Sequence, residues 1–156
     1  GEPGERLPVA GQAGGATLDI ARGAYAEAGV EAEITPFIDD MAAAYGWADI
    51  AICRSGALTV SELAAAGLGS VLVPFPAAVD DHQTRNAAYL VDAGAAELIQ
   101  ETNLDPTGLA ARLEALAADR EQLVKMASAA RGQARPAALD ELATACLEAA
   151  RNGGGA

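Results

Sequence analysis

The sequence predicts an α/β fold: a parallel sheet of about four or five strands with flanking helices, followed by an all-helical C-terminal tail. Three observations predict it. Short apolar runs such as Ile50–Cys53 and Val71–Phe75 recur down the first two thirds of the chain. Each is followed by a stretch with helix-start signals, the pattern of βαβ units. Finally, 51% of the 156 residues are apolar but only 4% are aromatic, so Ala, Leu and Val must build the core. Such small side chains favour helices packed closely on a sheet.

Taken in order, Gly1–Gly15 carries five glycines and two prolines without a sustained period and reads as irregular, with at most a short strand near Val9. Residues 1–16 are therefore set apart from a folded domain over 17–151, with 152–156 a Gly-rich tail. The cluster Gly11-Gln12-Ala13-Gly14-Gly15 has the wrong glycine spacing for a dinucleotide loop and reads as a turn. Thr17 is placed to cap a helix running to Ala28, stopped by Gly29. Glu33–Phe37 reads as a strand, with Pro36 tolerable near its end. Asp39 or Asp40 caps a brief helix to Trp47. Strand Ile50–Cys53, helix Thr59–Ala66, strand Ser70–Phe75, helix His82–Ala93 and strand Glu97–Ile99 follow. Asp105-Pro106 then opens a helix to Ala118, another spans Arg120–Ala130, and Pro136 opens the last, to Ala150.

The formal net charge is −12, with ten basic residues of which nine are Arg. A face rich in Lys and Arg is what nucleic acid requires, so nucleic acid is excluded as a partner. The same charge gives no help on an anionic membrane. Cys53 and Cys146 sit in apolar contexts with no metal or disulfide spacing, and read as buried thiols in a reducing compartment. No apolar run approaches the ~20 residues of a spanning helix, and a cytoplasmic location is expected. No cofactor is called for, and His82, the lone histidine, has no second His or Cys near it to make a metal site.

The chemistry concentrates at two strand-to-helix crossings, the rim where open α/β sheets bind ligands. In Arg54-Ser55-Gly56-Ala57-Leu58-Thr59-Val60-Ser61-Glu62, Thr59-x-x-Glu62 fits a capping box, which would serve the helix whatever the function. Arg54, however, ends an apolar strand, so its charge emerges at the rim. Ser55-Gly56 precedes a helix start whose free N–H groups suit phosphate, and Gly56 allows close approach of the backbone. Leu58 and Glu62 share a helical face. A carboxylate repels phosphate, so Glu62 suits sugar hydroxyls, ideally a ribose 2′/3′ pair. In the second crossing Asp80 and Asp81 are both placed to cap the helix from His82. Gln83 and Asn86, three apart, present amides to one side and also suit sugar hydroxyls.

CRSGALTVSELAAAG, followed by VPFPAAVDDHQTRNA and preceded by ITPFIDDMAAAYGWAD, is similar to the C-terminal domain of the MurG family. These peptidoglycan glycosyltransferases add N-acetylglucosamine to undecaprenyl-pyrophosphoryl-muramoyl-pentapeptide (lipid I), giving lipid II. The resemblance runs from about Thr17 to Ala150, with three blocks in order. It implies a Rossmann-like domain, one half of a GT-B arrangement, that binds UDP-N-acetylglucosamine. It further implies that the Ile38 backbone meets the uracil edge and that Met41 packs near the nucleoside. Arg54 with the backbone of Leu58 and Thr59 would hold the diphosphate, beside Ser55 and Gly56. Glu62 would take the ribose hydroxyls; Gln83 and His82 would meet the N-acetylglucosamine, with Asn86 in support.

The family's N-terminal domain, which carries the acceptor site for lipid I and the candidate base, has no counterpart in these residues. Neither has the first strand of its C-terminal domain, with a Gly-Gly-Ser turn. The resemblance thus implies a donor-binding half with no catalytic residue of its own, inactive alone and in need of the acceptor domain as partner. The family's full-length members are peripheral on the cytoplasmic face of the inner membrane. Two alternatives stay open: a donor-binding subunit of a two-chain N-acetylglucosaminyltransferase, and a truncated α/β scaffold that no longer binds. An exposed sheet edge where the first strand would lie makes self-association an expectation.

Overall fold

The computed structural model of the chain describes residues 8–76 and 79–153. Among these residues, strands and helices alternate, five parallel strands in all, and then give way to helices alone, the last of seven α-helices closing the series, as the sequence predicts. The strands fall into two sheets rather than one, and the chain divides into two compact units, Gly1–Ala48 and Asp49–Ala156.

In the first unit β1 (Val9–Gln12) pairs in parallel with β2 (Ala32–Thr35), Val9 opposite Ala32. The short strand allowed near Val9 is thus present, and it ties this segment to β2; residues 1–7 fall outside the described ones. Between the strands runs α1 (Leu18–Glu27), which Gly29 ends at φ 62°. Thr17 stands at the N-cap, but its hydroxyl donates back to Gly14 O (3.0 Å) instead of accepting a helix N–H, so the expected cap does not form. β2 stops at Thr35, before Pro36, which has no N–H to give a ladder. At α2 (Met41–Trp47) the expectation holds: Asp40 accepts from Ala43 N at 2.8 Å.

The second unit is a three-stranded parallel sheet, β3 (Ala51–Cys53), β4 (Ser70–Leu72) and β5 (Ala96–Leu98), with β4 central. Its helices are α3 (Ala57–Ala66), α4 (His82–Val91), α5 (Pro106–Ala118), α6 (Arg120–Gly132) and α7 (Ala138–Gly153). Val71, Leu116, Leu123 and Met126 form one core cluster, with Ile50, Ile99, Leu109 and Leu113 packed against it. β4 is buried on every residue, Ser70 included, so Val71 and Leu72 stand side by side as apolar residues without the alternation of a half-exposed strand. Gly67 closes α3 in the left-handed region, φ 69°, where a side chain would be strained.

Four readings change here. The capping box does not form, because α3 opens at Ala57 with Gly56 at its N-cap, which puts Thr59 inside the first turn. Asp81 does occupy the N-cap of α4, but at φ 51°, and its carboxylate accepts from the Thr84 hydroxyl (2.6 Å) rather than from a helix N–H. Asp80 precedes it at φ 55°, outside the helix cap. Cys146, expected to be buried, is exposed. It lies on α7, whose residues 138–151 are all exposed, so the helix offers it no cover. α7 also continues through Asn152 and Gly153, where a tail was expected; residues 154–156 fall outside the described ones.

Candidate functional site

The carboxyl ends of β3, β4 and β5 gather most of the residues singled out from the sequence. The strands are three residues each, so the residues that reach this rim lie on the loops that follow them. Arg54, Ser55 and Gly56 leave β3; Val73, Pro74 and Phe75 leave β4; Gln100 and Glu101 leave β5. Side chains from the start of α4 stitch these loops together. Asn86 Nδ2 donates to Ser55 O (3.1 Å), and the Phe75 N–H donates to Gln83 Oε1 (2.9 Å). Gln100 Nε2 donates to Thr84 Oγ1 at 3.2 Å, which ties in the third loop.

Arg54 is held along one edge. Its Nη1 donates to Pro74 O (3.1 Å) and Val73 O (3.3 Å) and is ion-paired with Glu101 Oε2. Its guanidinium carbon lies 5.4 Å from the centre of the Phe75 ring, within cation–π range. These contacts leave the Nε–Nη2 edge as the fork that can meet an anion. The side chain stays about half exposed, at 47%.

Beside it, α3 begins at Ala57, so the N–H groups of Leu58 and Thr59 belong to the first turn and have no intrahelical acceptor. Donors and the positive dipole end together make a place for negative charge. A Cβ built on Gly56 would lie 3.6 Å from Thr59 Oγ1, ordinary contact, so its freedom there is one of approach rather than of conformation. Ser55 is fully buried and its hydroxyl has no hydrogen-bond partner among the described residues. Glu62 is exposed one turn further along α3, and Leu58, on the same face, is 79% exposed. His82 opens α4 and is exposed.

Ile38 and Met41 belong to the other unit and are half-buried. Ile38 lines a cavity of about 590 Å³ with Val9, Gly11, Thr35, Phe37 and Trp47 among its walls. Its N–H is already taken, by Gln12 Oε1 at 3.2 Å. Sequence reasoning missed Gln12, Phe75 and Glu101. The VPFP run carried a signal for Phe75, an aromatic at a strand's end, whereas Glu101 meets Arg54 only through the fold.

Cys53 sits on β3, directly before this loop. Burial pushes its thiol up from 9.0 to about 11, so it stays protonated and unreactive at neutral pH. Among the described residues no helix is long and apolar enough to cross a membrane.

Comparison with known proteins follows the same residues. The glycosyltransferase family 28 C-terminal domain matches residues 6–142. The UDP-N-acetylglucosamine–N-acetylmuramyl-(pentapeptide) pyrophosphoryl-undecaprenol N-acetylglucosamine transferase of Marinobacter nauticus is 57% identical over 146 residues, 94% of this chain and 40% of that protein. The transferase of the same name from Chromohalobacter salexigens is 55% identical over 148 residues, again 40% of its length. The chain therefore spans about two fifths of the relatives it matches. In three dimensions it is similar to Acinetobacter baumannii MurG, with a TM-score of 0.81 and 41% identity, over 90% of this chain and 41% of that one. A glycotransferase of kitacinnamycin shares the fold alone, with a TM-score of 0.57 and 20% identity.

Proposed function

The chain belongs to the glycosyltransferase family 28 C-terminal domain family, and from that premise we propose that it is the UDP-N-acetylglucosamine-binding half of an inverting transferase that converts lipid I to lipid II. The observation that carries this reading is the rim itself. Hydrogen bonds from Asn86 and to Gln83 tie the loops after β3 and β4 together, and Arg54 stands on that frame beside the open first turn of α3. Such a frame positions a donor's diphosphate without rearranging, which is how a binding domain stabilises a departing nucleotide.

Arg54 and the N–H groups of Leu58 and Thr59 hold the diphosphate; Glu62 takes the ribose hydroxyls. Gln83 has its carbonyl committed to Phe75, so its amide N–H groups face the sugar. His82 joins it at the sugar, and Asn86 works through Ser55. Ile38 and Met41 serve the uracil, and Gln12 must release the Ile38 N–H for the base to take it. The acceptor hydroxyl and its base come from an acceptor-binding domain, and the site of action is cytoplasmic, at the inner membrane.

Calorimetric titration of the 156-residue chain with UDP, UDP-N-acetylglucosamine and ADP tests the reading. Binding of the two uridine ligands and not of ADP is expected; no heat with any of them sinks it in favour of a scaffold that no longer binds. β3 is an edge strand of its sheet, with Ile52 47% exposed upon it. Self-association through that edge is expected to appear in sedimentation as the concentration rises.

A further inference from the structure

Arg54 and Glu101 meet across 47 positions of sequence, and nothing in the local pattern of either announces the other. Glu101 leaves β5 in a short 3-10 turn, Glu101–Asn103, and sends its carboxylate to Arg54 Nη1. Glu101 Oε2 is shielded from solvent and makes no hydrogen bond among the described residues, so the guanidinium is what balances its charge. Arg54 does not depend on Glu101 for its placement in return. The carbonyls of Val73 and Pro74 and the Phe75 ring hold the guanidinium through the same edge and face. The pair is thus asymmetric: among the described residues the arginine has three other supports, and the carboxylate has one partner.

We propose that Glu101 is a built-in counter-ion, which neutralises Arg54 in the unliganded protein and competes with ligand phosphate for it. This inference rests on the reading of Arg54 as the diphosphate-binding residue. A carboxylate beside the guanidinium lowers the positive potential on the Nε–Nη2 edge, where a phosphate would dock, whether or not the ion pair opens. Both partners are more than a third exposed, at 47% and 39%, so solvent screens the effect and its size is modest. Its sign is fixed by charge. Glu101 weakens anions at this site and weakens a diphosphate more than a monophosphate. It leaves a phosphate-free nucleoside untouched, which makes it a residue that sets affinity for the charged part of the ligand alone.

The test is calorimetric titration of the full chain and of Glu101→Gln with UDP, UMP and uridine, at low salt and at about 1 M salt. Glu101→Gln is expected to bind UDP roughly three- to fivefold more tightly at low salt, the range set by a partly exposed ion pair. UMP gains less and uridine is unchanged, and the gain vanishes at high salt. Glu101→Ala provides a second variant without the carboxylate, and circular dichroism confirms that both are folded. Unchanged or weaker UDP binding by both variants, while the parent chain binds UDP, overturns the counter-ion role and leaves the donor-site reading standing. Equal gains for uridine and UDP also overturn it, because charge is then not the cause. No UDP binding by the parent chain or either variant overturns the donor-site reading, and the counter-ion role falls with it.

Discussion

Glu62 and Cys53 show how much a single side chain decides. Glu62 sits one turn into α3, exposed, on a face shared with Leu58. If it accepts from ribose hydroxyls, Glu62→Ala weakens UDP by about 1–3 kcal/mol, the range for losing a charged hydrogen bond. A 2′,3′-dideoxy analogue should lose far less, and equal losses would return Glu62 to a role in the helix alone. For Cys53 the sign follows from ionisation. A thiol is neutral when protonated, and burial raises the folded-state value from 9.0 to about 11, so the fold favours the thiol. That stability is complete below the unfolded value and is lost as pH climbs through about 11. Iodoacetamide at about pH 8 should therefore label exposed Cys146 first, with Cys53 labelled only after urea unfolding, as peptide masses will report. At this scale the sequence was legible where one loop held the whole signal, as in Arg54-Ser55-Gly56. It was not where a partner arrives from another strand, as Glu101 does for Arg54 and Gln12 for Ile38.

Among the elements, the helix ends were read with uneven success, and the difference has a physical cause. Asp40, Asp105 and Asp119 each accept a backbone N–H in the first turn, from Ala43, Gly108 and Gln122. For Asp105 the bond to Gly108 N is 2.6 Å, with Pro106 at the first helical position, where its missing N–H does no harm. Asp105→Ala should lower stability by about 1 kcal/mol, read as a shifted urea midpoint with unchanged slope. Asp81 and Thr17 carry the same letters of the capping alphabet and do not cap. Asp81 is in the left-handed region, and Thr17 turns its hydroxyl toward Gly14. Side-chain type marks where a helix can begin, whereas backbone angle decides whether the oxygen faces its N–H groups. One strand end was overextended: apolar letters continue through Val73 and Phe75, but β4 ends at Leu72, the Val73 N–H gives a last bond to Cys53 O (2.9 Å), and Pro74 has no N–H to continue.

For the whole molecule, the α/β class and the parallel order of strands were legible because every strand is followed by a helix-start signal. The split into two sheets was not, since pairing partners are a property of tertiary packing and leave no local mark. Activity belongs to this scale as well. Transfer needs an acceptor hydroxyl held at the donor's anomeric carbon with a base in reach, and the proposed site supplies only the donor side. A radiolabelled-sugar assay with a lipid I analogue should show no product from the chain alone and some product when a family acceptor domain is added. Robust turnover by the chain alone would force a search for a base among His82, Asp80 and Asp81. The all-parallel ladders have one more consequence, for how the chain reaches its fold. Every paired residue finds its partner well along the chain, Ala51 with Ser70, Val9 with Ala32, Ser70 with Ala96. Among the described residues no hairpin exists to zip from a turn, and closing each of these loops opposes folding by about 3 kcal/mol before any ladder bond repays it. Non-local register has to be reached before the ladders stabilise anything, so refolding is expected to be slower than that of a helical bundle of equal length, as stopped-flow fluorescence would report.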